Sequence, residues 1–442
     1  MPQLRPRSLH NYAQRVRLAM LAGASSAAAA FAVAALAVAA CAPRETTAPL
    51  TLVEVVSPTG PGAAEPNLFT ARDGRVLMSW LEPADSGAHA LRLSVMGPDG
   101  TWSAPVDVVR RSDLFVNWAD FPSVVALEDG RFLAHWLQRN GSGKYAYEVR
   151  MAESRDQGVT WSASVTPHRA GVEAEHGFVS LLPDSAGGAL VVFLDGGANV
   201  IAGASTAGDA PASGDAHEEH GVPMSVSANS WDAAMTEATK SVLDALACDC
   251  CQTAAAMTGR GAAVIYRDRT EGEIRDIAIV RRVNGAWTAP AIVHADNWEL
   301  NACPVNGPAI VASGDDVAIA WFTGARDTAK VQVIFSHDAG ATFGAPVRVD
   351  AGNPAGRVGL QWLNGEAYVS WLERGAGDTA FVQVRPVTRE GVAREPITVT
   401  TSSGARSSGF PRMTRLNDGL LFAYTLPGAP SVVKMTTLRT AP

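Results

Sequence analysis

Val76-Leu77-Met78-Ser79-Trp80-Leu81-Glu82 is an apolar strand carrying one aromatic residue, and the same form returns six times along the chain. The further copies are Phe132-Leu-Ala-His-Trp136-Leu-Gln138, Leu190-Val-Val-Phe193-Leu-Asp195, Ala263-Val-Ile-Tyr266-Arg-Asp268, Val317-Ala-Ile-Ala-Trp321-Phe-Thr323, Ala367-Tyr-Val-Ser-Trp371-Leu-Glu373 and Leu421-Phe-Ala-Tyr424-Thr425. The aromatic anchors at 80, 136, 193, 266, 321, 371 and 424 are separated by 56, 57, 73, 55, 50 and 53 residues. A repeat near 50 residues with several strands per unit points to a β-propeller or a solenoid. Within a unit a strand such as 122–126 precedes an acidic-glycine turn such as Glu128-Asp129-Gly130, then the aromatic strand, a third strand, a second turn and a fourth strand. In the first unit the third and fourth strands fall at 90–96 and 106–109. The last unit supplies three strands, while residues 51–57 form a strand that belongs to no earlier unit. Pairing that strand with the last unit closes a ring and removes the exposed sheet edges a β protein must protect. The expectation is an all-β propeller of four-stranded antiparallel blades, seven by this count and six if one repeat is a decoy.

Composition agrees with a globular chain. Of the 442 residues 47% are apolar and 18% charged, and 41 Gly and 26 Pro lie without a three-residue period, which excludes collagen and points to many short elements joined by turns. Residues 1–40 carry Arg5, Arg7, Arg15 and Arg17, no acidic residue, and an apolar run from Leu18 to Ala40. This reads as a secretory signal. It ends in Leu36-Ala-Val-Ala-Ala40-Cys41, which resembles a bacterial lipobox and makes Cys41 the lipidated first residue; the alternative is a membrane-spanning anchor. Residues 41–50 then form a lipidated tether, and 51–442 a single propeller domain held at the bacterial cell envelope outside the cytoplasm, with the membrane as a partner through the lipid. Losing four positive charges takes the formal charge from −8 to −12, so nucleic acid is not an expected partner.

Two of the second turns, Ser154-Arg-Asp156-Gln-Gly158-Val-Thr160-Trp161 and Ser336-His-Asp338-Ala-Gly340-Ala-Thr342-Phe343, share one pattern, and shortened forms stand at 98–102 and 284–287. The pattern resembles the Asp box of the bacterial sialidase-like (BNR-repeat) propellers, and the resemblance covers most of the chain after residue 50. It implies the fold more than an activity. The Asp accepts hydrogen bonds within the turn, and the aromatic residue packs between sheets.

The loops leading into each innermost strand and those joining second to third strands open on one face of a propeller. On this face fall Asp120, Glu175-His176, Cys248-Asp249-Cys250-Cys251, Arg267-Asp268-Arg269, Cys303, Asn306, Arg357 and Arg412, so charge and every cysteine after the signal region gather there, as a ligand site requires. Sialidases hold a sugar carboxylate with three arginines and use a Tyr–Glu nucleophile pair and an acidic proton donor. Carried onto this chain, the resemblance makes Arg267, Arg357 and Arg412 the arginine cluster and Asp120 the acid. The Phe/Tyr-Arg-Ile/Leu-Pro segment that opens such enzymes is absent, residues 65–69 reading Glu-Pro-Asn-Leu-Phe, and no tyrosine stands in the nucleophile position, Tyr266 and Tyr424 lying within strands. His176, Asp268, Arg269 and Asn306 complete the candidate ligand contacts. The charge run 267–276 is either a solvated hairpin tip or a clamp for a carboxylate or phosphate.

Cys248, Cys250, Cys251 and Cys303 have three readings: a disulfide from the triplet to Cys303, a copper(I) or zinc site assisted by His176 or Asp249, or free redox-active thiols. His217-Glu-Glu-His220, in the insertion that lengthens the third interval, reads as a solvent loop. Three functional classes stay open: a glycan- or anion-binding propeller with glycoside hydrolase activity, a binding or assembly module without catalysis, and a metal- or redox-handling lipoprotein.

Overall fold

The computed structural model describes residues 50–197 and 224–440. The signal segment, Cys41, the tether up to residue 49 and His217–His220 lie outside the described residues. Leu50, the last residue of the expected tether, is already the first residue of a strand.

Seven antiparallel sheets form a ring. Blade 1 comprises Ala64–Thr70, Val76–Pro83, His89–Met96 and Val106–Arg111, innermost strand first. Blade 2 comprises Ser123–Ala126, Phe132–Arg139 and Tyr147–Ser154, and blade 3 His176–Pro183, Ala189–Asp195, Met224–Trp231 and Glu237–Ala247. Blade 4 holds Ala254–Thr258, Gly261–Arg267 and Ile277–Val283, with both Ala286–Trp287 and Ala291–His294 on its outer edge. Blade 5 is Ala309–Ser313, Asp316–Thr323, Lys330–Ser336 and Val347–Arg348, and blade 6 is Pro354–Leu363, Glu366–Arg374, Thr379–Val387 and Ile397–Ser403. Blade 7 takes Arg412–Leu416, Gly419–Leu426 and Val432–Thr440 from the end of the ring and Leu50–Val55 from its start. The closing pair runs in unbroken register from Leu50 opposite Thr440 to Val55 opposite Met435.

The count of seven rests on packing as well as on sheets. Seven apolar clusters lie among the described residues, one between each pair of neighbouring blades. Successive side chains on a strand point to opposite faces, so each blade feeds two clusters. Val317, Ile319 and Trp321 pack toward blade 4, whereas Ala318, Ala320 and Phe322 pack toward blade 6. That double burial explains why the second strands read as continuous apolar runs rather than as alternating ones.

Besides blade 4, whose outer edge is split in two, two blades are cut short at their outer edge. In blade 2 the fourth strand is reduced to one bridge between Met151 and Val165, and in blade 5 it has only two residues. Buried backbone N–H groups still need acceptors. The His168 imidazole supplies one for Val149 at 3.0 Å, and the Asp350 carboxylate supplies one for Val331 at 2.9 Å.

Both full Asp boxes fold alike on the face opposite the lead-in loops. Ser154 Oγ donates to Asp156 and accepts from Gly158 N–H, and Asp156 accepts from the N–H and hydroxyl of Thr160 at 2.8 and 2.6 Å. Ser336, Asp338, Gly340 and Thr342 repeat every one of these bonds. The threonine hydroxyls and N–H groups hold both aspartates down at about 2.

Candidate functional site

Three innermost strands begin with the same irregularity. Glu65-Pro66 in blade 1 bulges opposite Trp80, Phe178-Val179 in blade 3 opposite Phe193, and Arg357-Val358 in blade 6 opposite Trp371. The first residue of each bulge has a left-handed backbone, with φ of 48°, 53° and 56°. A bulge re-aims the side chain at the end of its strand. Here it turns Glu65, Phe178 and Arg357 into the protein at the lead-in face, and all three are buried.

The arginines named from the sequence have different fates. Arg267 is buried and spends its guanidinium on the carbonyls of Asn306, Arg275 and Phe322 while lying over the Trp298 ring. Arg357 bonds Ser408 Oγ and the carbonyls of Gly409, Gly404 and Ala405. Asn306 accepts from the Arg357 N–H and donates to the carbonyls of Pro304 and Ala355. These three side chains tie the lead-in loops of blades 5, 6 and 7 together, and the three-arginine clamp implied by the resemblance is not assembled. Arg412 differs. Its guanidinium lies over Phe121 at 4.8 Å and makes no hydrogen bond or ion pair among the described residues. Burial brings it down to about 10.

Arg412 lines a cavity of about 240 Å³ in the mouth of the central channel, together with Asp120, Phe121, Asn67, Gln252 and Phe410. Trp118 stacks behind Phe410 at 5.8 Å. Burial raises Asp120 to about 7, although it accepts hydrogen bonds from Phe178 N–H at 2.8 Å and from the Tyr147 hydroxyl at 3.2 Å. Tyr147, fully buried and stacked on Phe115, also reaches Glu175 at 2.9 Å. A phenol has one proton to donate, so two carboxyls share it. The result is a chain from the channel through Tyr147 to the half-buried Glu175. Glu175 and Glu65, which burial raises to about 7, fall in lead-in loops by their position in the repeat, whereas Tyr147, inside a strand, escaped the sequence reading. Nothing in the sequence pairs Tyr147 with Glu175.

The larger cavity, about 580 Å³, lies at the opposite mouth, where Arg72 pairs with Glu128 and Arg75 with Asp73. Two of its three arginines are paired and the third, Arg415, is exposed, so it makes the weaker candidate.

His176 is already engaged: its Nδ1 faces the Tyr147 and Ala174 carbonyls, its Nε2 lies 3.4 Å from Asp195, and its ring stacks on His168. Asp268 is half-buried in blade 4, and burial raises it to about 6. Arg269 binds Glu273 at 2.8 Å. Two acids and an amide at the second-to-third-strand loops serve tryptophans: Trp80 donates its indole N–H to Glu82, Trp136 to Gln138 and Trp371 to Glu373, each two residues on.

The sulfurs converge. Cys248 Sγ is 3.8 Å from Cys250 Sγ and 3.0 Å from Cys251 Sγ, and Asp249, Cys250 and Cys303 form an adjoining group. Burial pushes Cys248 up to about 12. Burial acts the same way on Cys251, but hydrogen bonds from Cys248 and Cys250, the Arg267 guanidinium and the Asn306 N–H carry it below the usual thiol range.

No family model and no curated protein matches the chain. Among solved structures it is similar to a Dyadobacter fermentans protein of unknown function, at 13% identity and a TM-score of 0.47, covering 89% of this chain and 99% of that one. The NanB sialidase of Streptococcus pneumoniae follows at 14% identity and 0.44, covering 87% and 70%. The phage phi92 endosialidase matches at 11% identity and 0.48, covering 89% and 70%.

Proposed function

We propose that this protein binds an anionic glycan at the mouth of its channel, with the ligand's carboxylate on Arg412 and a sugar face against Phe121 and Phe410. The observation that carries this reading is the unpaired Arg412 guanidinium in a cavity whose lining is largely apolar, with Phe121 and Phe410 beside it and Asn67, Gln252 and Asp120 among its polar groups. A guanidinium with free N–H groups offers a two-pronged fork to a carboxylate, and partial burial strengthens the bonds it makes. Glycoside cleavage would need two carboxyls about 5–10 Å apart across the pocket. Among the described residues lining the cavity Asp120 is the only acid, which favours binding over hydrolysis. Where Asp120 carries its proton, below about pH 7, its O–H is a further donor to a sugar hydroxyl or carboxylate. The lipobox-like segment ending at Cys41 supports the reading that this binding face works outside the cytoplasm, on a short lipidated tether.

Calorimetric titration with sialyllactose and with oligogalacturonate, using lactose as the neutral control, tests the reading. Arg412→Ala should weaken binding of the acidic ligands by about 10-fold or more and leave the thermal midpoint in place, because the side chain holds no structural hydrogen bond. Equal affinity for lactose, or unchanged affinity in the variant, would sink it.

A further inference from the structure

The cysteine cluster takes no part in the site proposed above. Cys248, Cys250 and Cys251 occupy the loop leading into blade 4, and their sulfurs all lie within 4.8 Å of one another. The loop is pinned at both ends. Cys248 N–H donates to the Arg267 carbonyl at 3.0 Å, and the Gln252 side chain binds the Ala119 carbonyl and the Gly307 N–H. Cys248 and Cys251 are buried, Cys250 is half-buried and Cys303 is exposed.

The positive charge around these sulfurs decides between their uses. Arg267, Arg269 and Arg275 are all buried, and Arg275 has no exposed surface. Arg269 and Arg275 each give one nitrogen to Glu273, at 2.8 and 2.5 Å, while Arg269 Nη1 and Arg275 Nη1 approach the Asp249 carboxylate at 3.9 and 3.8 Å, within ion-pair range but too far to hydrogen bond. Both nitrogens, and Arg275 Nε, are buried without a hydrogen-bond acceptor. A buried donor left unmade costs about 1–3 kcal/mol, and more when it is charged. A disulfide or a neutral thiol brings no charge to such a place. Thiolates bring it, and a bound cation is what holds several thiolates together in a small volume.

The number of sulfurs decides the ion. Three of them share one group, whereas Cys303 belongs with Cys250 and Asp249 in the adjoining one. Zinc in a structural site takes four ligands in a tetrahedron, and soft sulfur-only sets also select copper(I), which accepts three. With metal–sulfur bonds of about 2.3 Å, ligand sulfurs stand roughly 3.8–4 Å apart. The Cys248–Cys250 separation of 3.8 Å already fits, and the 3.0 Å Cys248–Cys251 pair has to open.

We propose that Cys248, Cys250 and Cys251 form a three-thiolate copper(I) site, with exposed Cys303 as the sulfur through which the ion arrives. Binding forms three Cu–S bonds, and each sulfur that still carries a proton releases it to solvent. No electron is transferred. The resulting complex carries two negative charges, set against Arg267 and against the ends of Arg269 and Arg275 that Glu273 leaves without an acceptor.

The test uses the full chain, reduced and kept anaerobic, titrated with copper(I) against bicinchoninate. One equivalent should be withheld from the chelator, with a thiolate-to-copper absorption band in the near ultraviolet and a raised thermal midpoint. Cys248→Ser should lose roughly 100-fold or more in affinity, and Cys303→Ser less than about 10-fold. Arg275→Gln, which keeps every sulfur, should retain one equivalent and lose about 10-fold, so the proposal stays open to refutation even if Cys248→Ser does not fold. Failure of the wild type to hold copper against the chelator would overturn the site. So would tighter binding of zinc(II) under the same conditions, or Cys248–Cys251 and Cys250–Cys303 disulfides in protein alkylated at harvest.

Discussion

The Asp-box turns and the lead-in loops lie on opposite faces of one ring and satisfy their polar groups in opposite ways. In an Asp box every acceptor is at most four residues from its donor, as from Asp156 to Thr160. In the lead-in loops Arg357 reaches 47 to 52 residues to its acceptors, and Arg267 reaches 55 to the Phe322 carbonyl. One face is a set of self-contained turns. The other is stitched from blade to blade, so its geometry exists only when the ring is closed.

Breaking the closure should therefore have the largest effect. Deleting residues 50–55 strips a six-residue ladder from the Val432–Thr440 strand and removes Leu50 and Leu52 from the cluster between blades 6 and 7. The thermal midpoint followed by circular dichroism should fall by about 10 °C or more, and an unchanged midpoint would break the closed-ring account. Arg357→Leu comes next. It leaves a hydroxyl and three carbonyls without their donor, and denaturant unfolding should show a loss of about 4 kcal/mol. A loss under about 1 kcal/mol would mean water or a neighbour replaces the stitch.

Asp120 sharpens the comparison through pH. Its folded value near 7 lies above the ordinary carboxylate value, so the folded state binds the extra proton between about pH 4 and pH 7. That contribution is fully present below about pH 4 and is lost as pH rises through 7. Asp120→Asn removes it, and the variant's stability relative to wild type should rise by roughly 3 kcal/mol between pH 4 and pH 8. Glu65 adds a slope of the same sign to both proteins and cancels in the difference. A flat difference would show that Asp120 is charged in the native protein. The smallest effect is expected in the turns: Asp156→Ala, at an exposed site with local bonds only, should move the midpoint by about 2 °C. A drop as large as that of Arg357→Leu would erase the distinction between the faces.

The same contrast explains what could be read in advance. The seven aromatic anchors, both Asp boxes and the closing strand follow from spacing, because a strand buried on both sides and a turn bonded to itself leave local marks. Trp80 with Glu82 and Trp371 with Glu373 are just as local, yet the pairing leaves no mark, since a sequence does not say that an indole two residues away needs an acceptor. Arg267 and Arg357 misled for the complementary reason: their partners are backbone carbonyls, which every residue has. The shared bulges at Glu65, Phe178 and Arg357 have no glycine to mark their left-handed backbone. Tyr147 meets Asp120 and Glu175 at separations of 27 and 28 residues along the chain. The cysteines were conspicuous as a group, but which sulfur stands beside which depends on how blades 4 and 5 meet.

The register of the closing strands has one more consequence. Leu50 sits directly opposite Thr440, one ladder rung away, so a short peptide could splice these two positions and the chain could be cut at any exposed turn instead. Because the blades repeat, such a circular permutant would carry its seam in a different blade while keeping every sheet and both mouths of the channel. The ring has no intrinsic beginning, and the place where the backbone starts is set by the order of genetic encoding rather than by the fold.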